Sequence, residues 1–263
     1  FISGRVKVDN LPQLNELAAR LQAARPITTT LNNSVKAISA NRTVLNNDGF
    51  GNINGSGVII GIVDDGCDFA HPNFIKNGQS RLLYLWDQNG KKGAGKHKPE
   101  HYEYGIEYGR ARINQVLALP GINPYQELDY RPAANAHGTH VMDIAAGNSS
   151  DPDYRGVAPD ADLIFVQLGS PTAIEEIAEE EKKTLGSSKY LNDAIHYIFE
   201  KADEAGKPAV INISLALNGG SHDGTSLLEV NFDDLLNTPG RAIVIAAGND
   251  FLKKSHASGK VTP

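Results

Sequence analysis

Three residues stand where a cleft could use them. Asp64 follows the apolar run 58–63 directly, in Asp64-Asp65-Gly66. A buried parallel strand delivers its last residues to the carboxyl edge of a sheet, where open α/β folds place their sites. A carboxylate there can orient a base; it can also simply begin a turn, for which Asp65-Gly66 is suited. His137 opens His137-Gly138-Thr139-His140 ahead of Val141, Ile144 and Ala145, a run that reads as a helix packed on a sheet. An imidazole at a helix start can reach a cleft with a pKa suited to general-base work, and a capping or core histidine is the competing reading. Asn249 ends Ala246-Ala247-Gly248-Asn249. A side-chain amide in that place can donate to a developing oxyanion, or serve only as a loop residue.

Placing such residues at one edge requires an alternation of strands and helices. The runs 58–63, 163–168, 209–215 and 242–247 are short, apolar and rich in Val and Ile, as expected of strands covered on both faces. Leu191, Ala194, Ile195, Ile198, Phe199 and Ala202 keep helical spacing, with Ser187 or Ser188 as the cap and Gly206 as the stop. This pattern predicts an α/β fold with a mostly parallel sheet between two helical layers. Residues 90–99, rich in Lys and Gly, read as a mobile loop, and the Glu run in 174–183 as a solvated helix face.

The first fifty residues differ. Residues 4–8 suit a short strand, Leu14, Leu17, Ala18 and Leu21 recur at helical spacing, and a polar stretch rich in Asn and Thr follows. They read as an extension, 1–50, ahead of a domain over 51–263.

The whole chain has 263 residues and a formal charge of −6, with 40% hydrophobic and 21% charged residues. That is the composition of a globular domain, and the absence of a basic stripe argues against nucleic acid or an anionic membrane as the main partner. No apolar run is long enough to span a bilayer. A single cysteine, Cys67, excludes an internal disulfide and reads as a small buried hydrophobe.

Taken in order, these motifs resemble the subtilisin-like serine proteases, the subtilase family (peptidase S8). Val63-Asp64-Asp65-Gly66 with Asp68 and His71-Pro72 is similar to the family's aspartate motif. His137-Gly138-Thr139-His140-Val141 is similar to its histidine motif, and Gly156-Val157-Ala158-Pro159 to the segment that follows. Asn212-Ile213-Ser214-Leu215 resembles the strand lining the substrate cleft, and Ala247-Gly248-Asn249 the oxyanion motif. The resemblance implies a subtilisin-like three-layer fold and a serine endopeptidase acting on polypeptides. In it Asp64 orients His137, His137 is the base, Asn249 the oxyanion donor, and Ser214, Leu215, Ala216 and Leu217 pair with an extended substrate. It also implies an extracytoplasmic location, and residues 1–50 would be a remnant of an inhibitory pro-region and linker. The aromatic insertion between Asp64 and His137 further resembles Csp-type bacterial subtilases, some of which are inactive; packing is the other reading of its tyrosines.

Several residues depart from the family's pattern. Its nucleophile follows the oxyanion asparagine, and nothing after Asn249 matches that motif. Gly224-Thr225-Ser226 copies three letters of it, but Ser226 reads better as the cap of a helix over Leu227–Leu236. The serine is therefore expected on a segment or second chain outside this sequence; the alternative is an inactive pseudoprotease that binds or regulates. Met142-Asp143 replaces a small pair, so Asp143 needs a partner or solvent. Asn73 stands where many subtilases place a calcium-binding aspartate. Calcium would instead suit the loop 148–154 with Asp151 and Asp153, where turn chemistry competes. A metallohydrolase using Asp64, Asp65, His71 and His137 has suitable ligand types but no recognised spacing.

Overall fold

The computed structural model describes residues 37–40, 49, 53–91, 93–132, 136–169, 188–215 and 223–248. The expectations for the strand and helix within residues 1–50 and for the Glu run lie outside the described residues.

Eight strands are described: β1 Ile59–Asp64, β2 Ile75–Lys76, β3 Gln79–Ser80, β4 Leu82–Asp87, β5 Ile106–Gly109, β6 Asp162–Gln167, β7 Ala209–Ile213 and β8 Arg241–Ile245. The helices are α1 Arg110–Leu117, α2 Pro124–Leu128, α3 His137–Ala146, α4 Ser188–Glu204 and α5 Leu227–Leu236. Six strands form one sheet in the order β5-β4-β6-β1-β7-β8, in which β5 is antiparallel to β4 and every other pair is parallel. The small β2-β3 hairpin turns through Asn77 and Gly78, both at positive φ, as its two-residue connection requires.

Side chains alternate across the sheet and so make two cores. Ile59, Val63, Ile164, Val166 and Ile211 face Ile195, Ile198 and Phe199 of α4 and Phe232 of α5. Ile62, Leu85, Leu163 and Phe165 face Ile113 of α1 and Met142 and Ala146 of α3. The result is the α/β/α arrangement read from the sequence, with β1, β4 and β6 contributing to both cores and β8, at the end of the described sheet, left partly exposed. Gly61 interrupts the apolar text of β1 for a packing reason, because a Cβ there would lie 2.6 Å from Ile198 of α4.

The differences from the sequence reading are local. Ser188 lies inside α4 rather than capping it. Within α3 the buried face is Gly138, Met142 and Ala146, whereas Ile144 is exposed. Residues 90–99 are tied down in part: the Glu107 amide donates to the His97 carbonyl, and Lys96 pairs with Asp129 at 2.5 Å.

Candidate active site

The parallel strands run the same way, so the ends of β1, β6, β4, β7 and β8 share one edge. Asp64 closes β1, in register with Gln167 at the end of β6. Leu82, Ile62 and Phe165 lie beneath, within the core on the α3 side.

Asp64 is fully buried, while the His137 side chain keeps 46% of its surface exposed. Nδ1 of His137 donates to Oδ1 of Asp64 at 2.8 Å, and the Asp65 amide donates to the same oxygen at 2.8 Å. Among the described residues the other carboxylate oxygen, also buried, accepts no hydrogen bond. Burial pushes the Asp64 carboxyl up to about 6, against the pull of the His137 bond and the Asp65 amide. For His137 the bond to Asp64 is the leading influence and raises the imidazole above its ordinary value. At neutral pH this is an ionised buried carboxylate fixing a solvent-facing imidazole ring. Its tautomer, with Nδ1 protonated, follows from the acceptor it faces.

Local chemistry explains how α3 comes so close to β1. A Cβ on Gly138 would stand 2.4 Å from the Gly66 carbonyl oxygen, 2.9 Å from Phe165 and 3.0 Å from the Cβ of Asp64. The loop after β1 is tied to the same helix: the Asp68 amide donates to Oγ1 of Thr139 at 2.8 Å, and the Gly138 amide to Oδ1 of Asp65 at 3.3 Å. From its other side, the Cys67 amide donates to the Tyr130 hydroxyl at 2.9 Å and the Tyr125 hydroxyl donates to Asp68. Cys67 is fully buried, which pushes its thiol well up.

The remaining sequence candidates divide. Ser214 and Leu215 follow β7 on the same edge, and Oγ of Ser214 accepts from Asn212 at 2.9 Å. Ala216, Leu217 and Asn249 lie outside the described residues, although β8 carries the chain to Gly248 on that edge and the Ala246 amide donates to the Ile213 carbonyl. Ser226 is the N-cap of α5 in a reciprocal capping box with Glu229. Its hydroxyl accepts from the Glu229 amide at 3.3 Å, and its own amide donates to the Glu229 carboxylate at 3.1 Å.

For a metal, ligand atoms of Asp64, Asp65 and His137 lie within 4.8 Å of one another. Two of the three are bonded directly to each other, and Nδ1 of His71 accepts from the Asn73 amide instead of joining them. At the calcium positions considered from the sequence, the donors do not fit a cage of hard oxygens. The Asn73 side-chain Nδ2 donates to Oδ1 of Asp143 at 2.8 Å, Oδ1 of Asp151 accepts from the Asp153 backbone amide, and the Arg155 guanidinium donates to the Ser149 carbonyl.

The pattern has known counterparts. The subtilase family model matches residues 55–261. The chain belongs to the subtilase family. Among curated subtilases it is 26% identical over 205 residues to the subtilisin-like protease PopC of Myxococcus xanthus, covering 75% of this chain and 34% of that protein. It is 27% identical over 199 residues to the major intracellular serine protease of Bacillus subtilis, covering 75% of this chain and 44% of that protein. The solved structure of the CspB protease of Clostridium perfringens is similar with a TM-score of 0.66 and 29% identity, over 83% of this chain and 41% of that one. The chain thus spans less than half the length of these relatives. Within this subtilase the tyrosines of the aromatic insertion pack: Tyr102 and Tyr104 lie 4.6 and 5.4 Å from the Trp86 ring, and the Tyr104 hydroxyl donates to Asp193. Sequence reasoning missed the contributions of Asp65 and Thr139, which need contacts between residues 71 and 73 positions apart in the chain.

Proposed function

We propose that this chain supplies the acid, the base and the oxyanion donor of a serine endopeptidase, with the nucleophilic serine on a segment or second chain outside this sequence. The observation that carries the reading is the 2.8 Å bond from His137 to Asp64, with the acid buried and the base facing solvent at the carboxyl edge of the sheet. In the proposed reaction the serine Oγ attacks the peptide carbonyl as His137 Nε2 takes its proton. Asn249 donates to the oxyanion, and the imidazolium returns the proton to the leaving amine. Water then hydrolyses the acyl-enzyme by the same exchange. Asp64 stabilises the imidazolium throughout, and an extended polypeptide would pair along 214–217.

Two further observations support a completing segment. Ser226 is committed to a capping box, and β8, at the end of the described sheet, exposes Val244 and Ile245 at 55% and 52%. Exposed apolar side chains on the last strand of the described sheet are suited to receiving another element. Residues 51–263 are then an incomplete catalytic domain and 1–50 an extension that precedes it. Among the described residues no helix is long and apolar enough to cross a membrane. An extracytoplasmic location goes with the family reading and is checked by cell fractionation.

The decisive experiment is labelling of the intact protein with a fluorophosphonate, which reacts only with an activated serine. Labelling that disappears in His137→Ala is the expected outcome. An intact protein that binds peptide without ever labelling would overturn the reading in favour of a pseudoprotease.

A further inference from the structure

Ala136, at the N-cap position of α3, offers no side-chain acceptor and sits at a φ of 54°. The leading amides of a helix find no partner within it, and negative charge is favoured there. One of these amides is answered from outside the helix, where Gly138 donates to Oδ1 of Asp65. Asp65 is only 8% exposed, so this carboxylate faces the helix start and not open solvent. It also shares a 4.8 Å neighbourhood with the carboxylate of Asp64 and the ring of His137.

We propose that Asp65 is a positioning residue for His137, capping α3 from the β1 loop while holding a second negative charge beside the imidazole. The inference rests on His137 acting as the base. One carboxylate, Asp64, then fixes the ring by a direct bond, and the other fixes the helix that carries it and favours the imidazolium through space. Among the described residues, the other charged groups of the Asp65 loop and of α3 are engaged elsewhere or exposed. Asp68, on the same loop as Asp65, takes the Tyr125 hydroxyl and the Ala70 amide; on α3, Asp143 takes Asn73, and His140 is exposed. Among the influences on His137, the Asp64 bond leads and the Asp65 charge adds to it.

Histidine-selective NMR on the intact protein tests this without needing turnover, with the His137 signal assigned by its loss in His137→Gln. In Asp65→Asn and Asp65→Ser, which keep a capping acceptor and remove the charge, the His137 titration midpoint should fall by roughly half a pH unit or more. Asp65→Ala should lower it similarly and also lower Tm, because the cap is lost as well. An unmoved midpoint in both neutral capping variants would overturn the proposal. These readouts report on the imidazole alone, so their failure is distinct from a failure of fluorophosphonate labelling.

Discussion

Gly138 rests directly against Gly66: a Cβ at position 138 would stand 2.4 Å from the Gly66 carbonyl oxygen. That contact brings the start of α3 down onto the end of β1 and sets the reach of His137 to Asp64. Backbone cannot yield as a flexible side chain can, so Gly138→Ala must push the helix away. Overpacking of this kind costs about 1–3 kcal/mol, to be read by chemical denaturation. A displacement of the base by about 1 Å costs on the order of 10²-fold in kcat/KM of the intact protein. Equal activity in Gly138→Ala would show that the close approach does not position the base.

The pH dependence has a defined sign. In the proposed reaction His137 takes a proton only when neutral, and its bond to Asp64 raises its pKa above the ordinary 6.5. The ascending limb of kcat/KM is therefore expected above 6.5. Asp64→Asn should move that limb to lower pH and reduce the maximal rate by roughly four orders of magnitude. Stability follows the same linkage. A group with a raised folded pKa contributes stability that is fully present below its unfolded value and lost as pH rises through the folded one. Asp64, raised by burial from 3.8 to about 6, acts in the same direction over that lower window. Unfolding measured from pH 4 to 8 should show the advantage of the parent over His137→Gln shrinking as pH rises.

Much of this site was legible because period and punctuation survive in the text. Four strands and α5 lie within two residues of where apolar runs, Gly and a Ser cap place them, and α3 begins at His137. The antiparallel edge strand β5 and the short helices α1 and α2 were not, since each is brief and leans on its neighbours more than on its own pattern. The Asn77-Gly78 hairpin did carry a local signal that went unread. Asn73 and Asp143 read as two separate departures from the family, yet the first is the partner that the second required. No local rule couples residues that far apart in the chain. Arg81, just before β4, carries no local signal of its role either.

That arginine is 5% exposed and is satisfied entirely by backbone. Its guanidinium donates to the carbonyls of Ala146 at 2.6 Å, Ala161 at 2.8 and 3.1 Å, Asn73 at 3.2 Å and Ala158 at 3.3 Å. Burial lowers its pKa to about 10, which leaves it charged at neutral pH. Ala146 is the last residue of α3, so a cation here also answers the negative end of the helix that carries His137. Arg81→Met would keep the stem's packing and strand these carbonyls, at a cost of about 2–4 kcal/mol. Calorimetry should show the loss, and hydrogen exchange should place it first in the last turn of α3. A variant as stable as the parent would mean that the stem, not the charge, is what the site needs.

The turn after α3 offers a final test. Where a calcium cage would present carboxylate and carbonyl oxygens to one point, the donors here are the Asn73 side-chain amide on Asp143 and the Arg155 guanidinium on the Ser149 carbonyl. The Asn148 side chain donates to the Ile75 carbonyl, fastening the turn to β2. A loop built on such contacts should hold its shape without metal. A site saturated a hundredfold above its Kd would lose about 2.7 kcal/mol when stripped, which is several degrees in Tm. Hydrogen exchange of residues 147–156 should therefore be the same with calcium and with EGTA. Asp143→Ala, by contrast, should speed it and lower Tm, because the Asn73 side-chain amide loses its acceptor. Protection that collapses on chelation would show that these donors do not suffice.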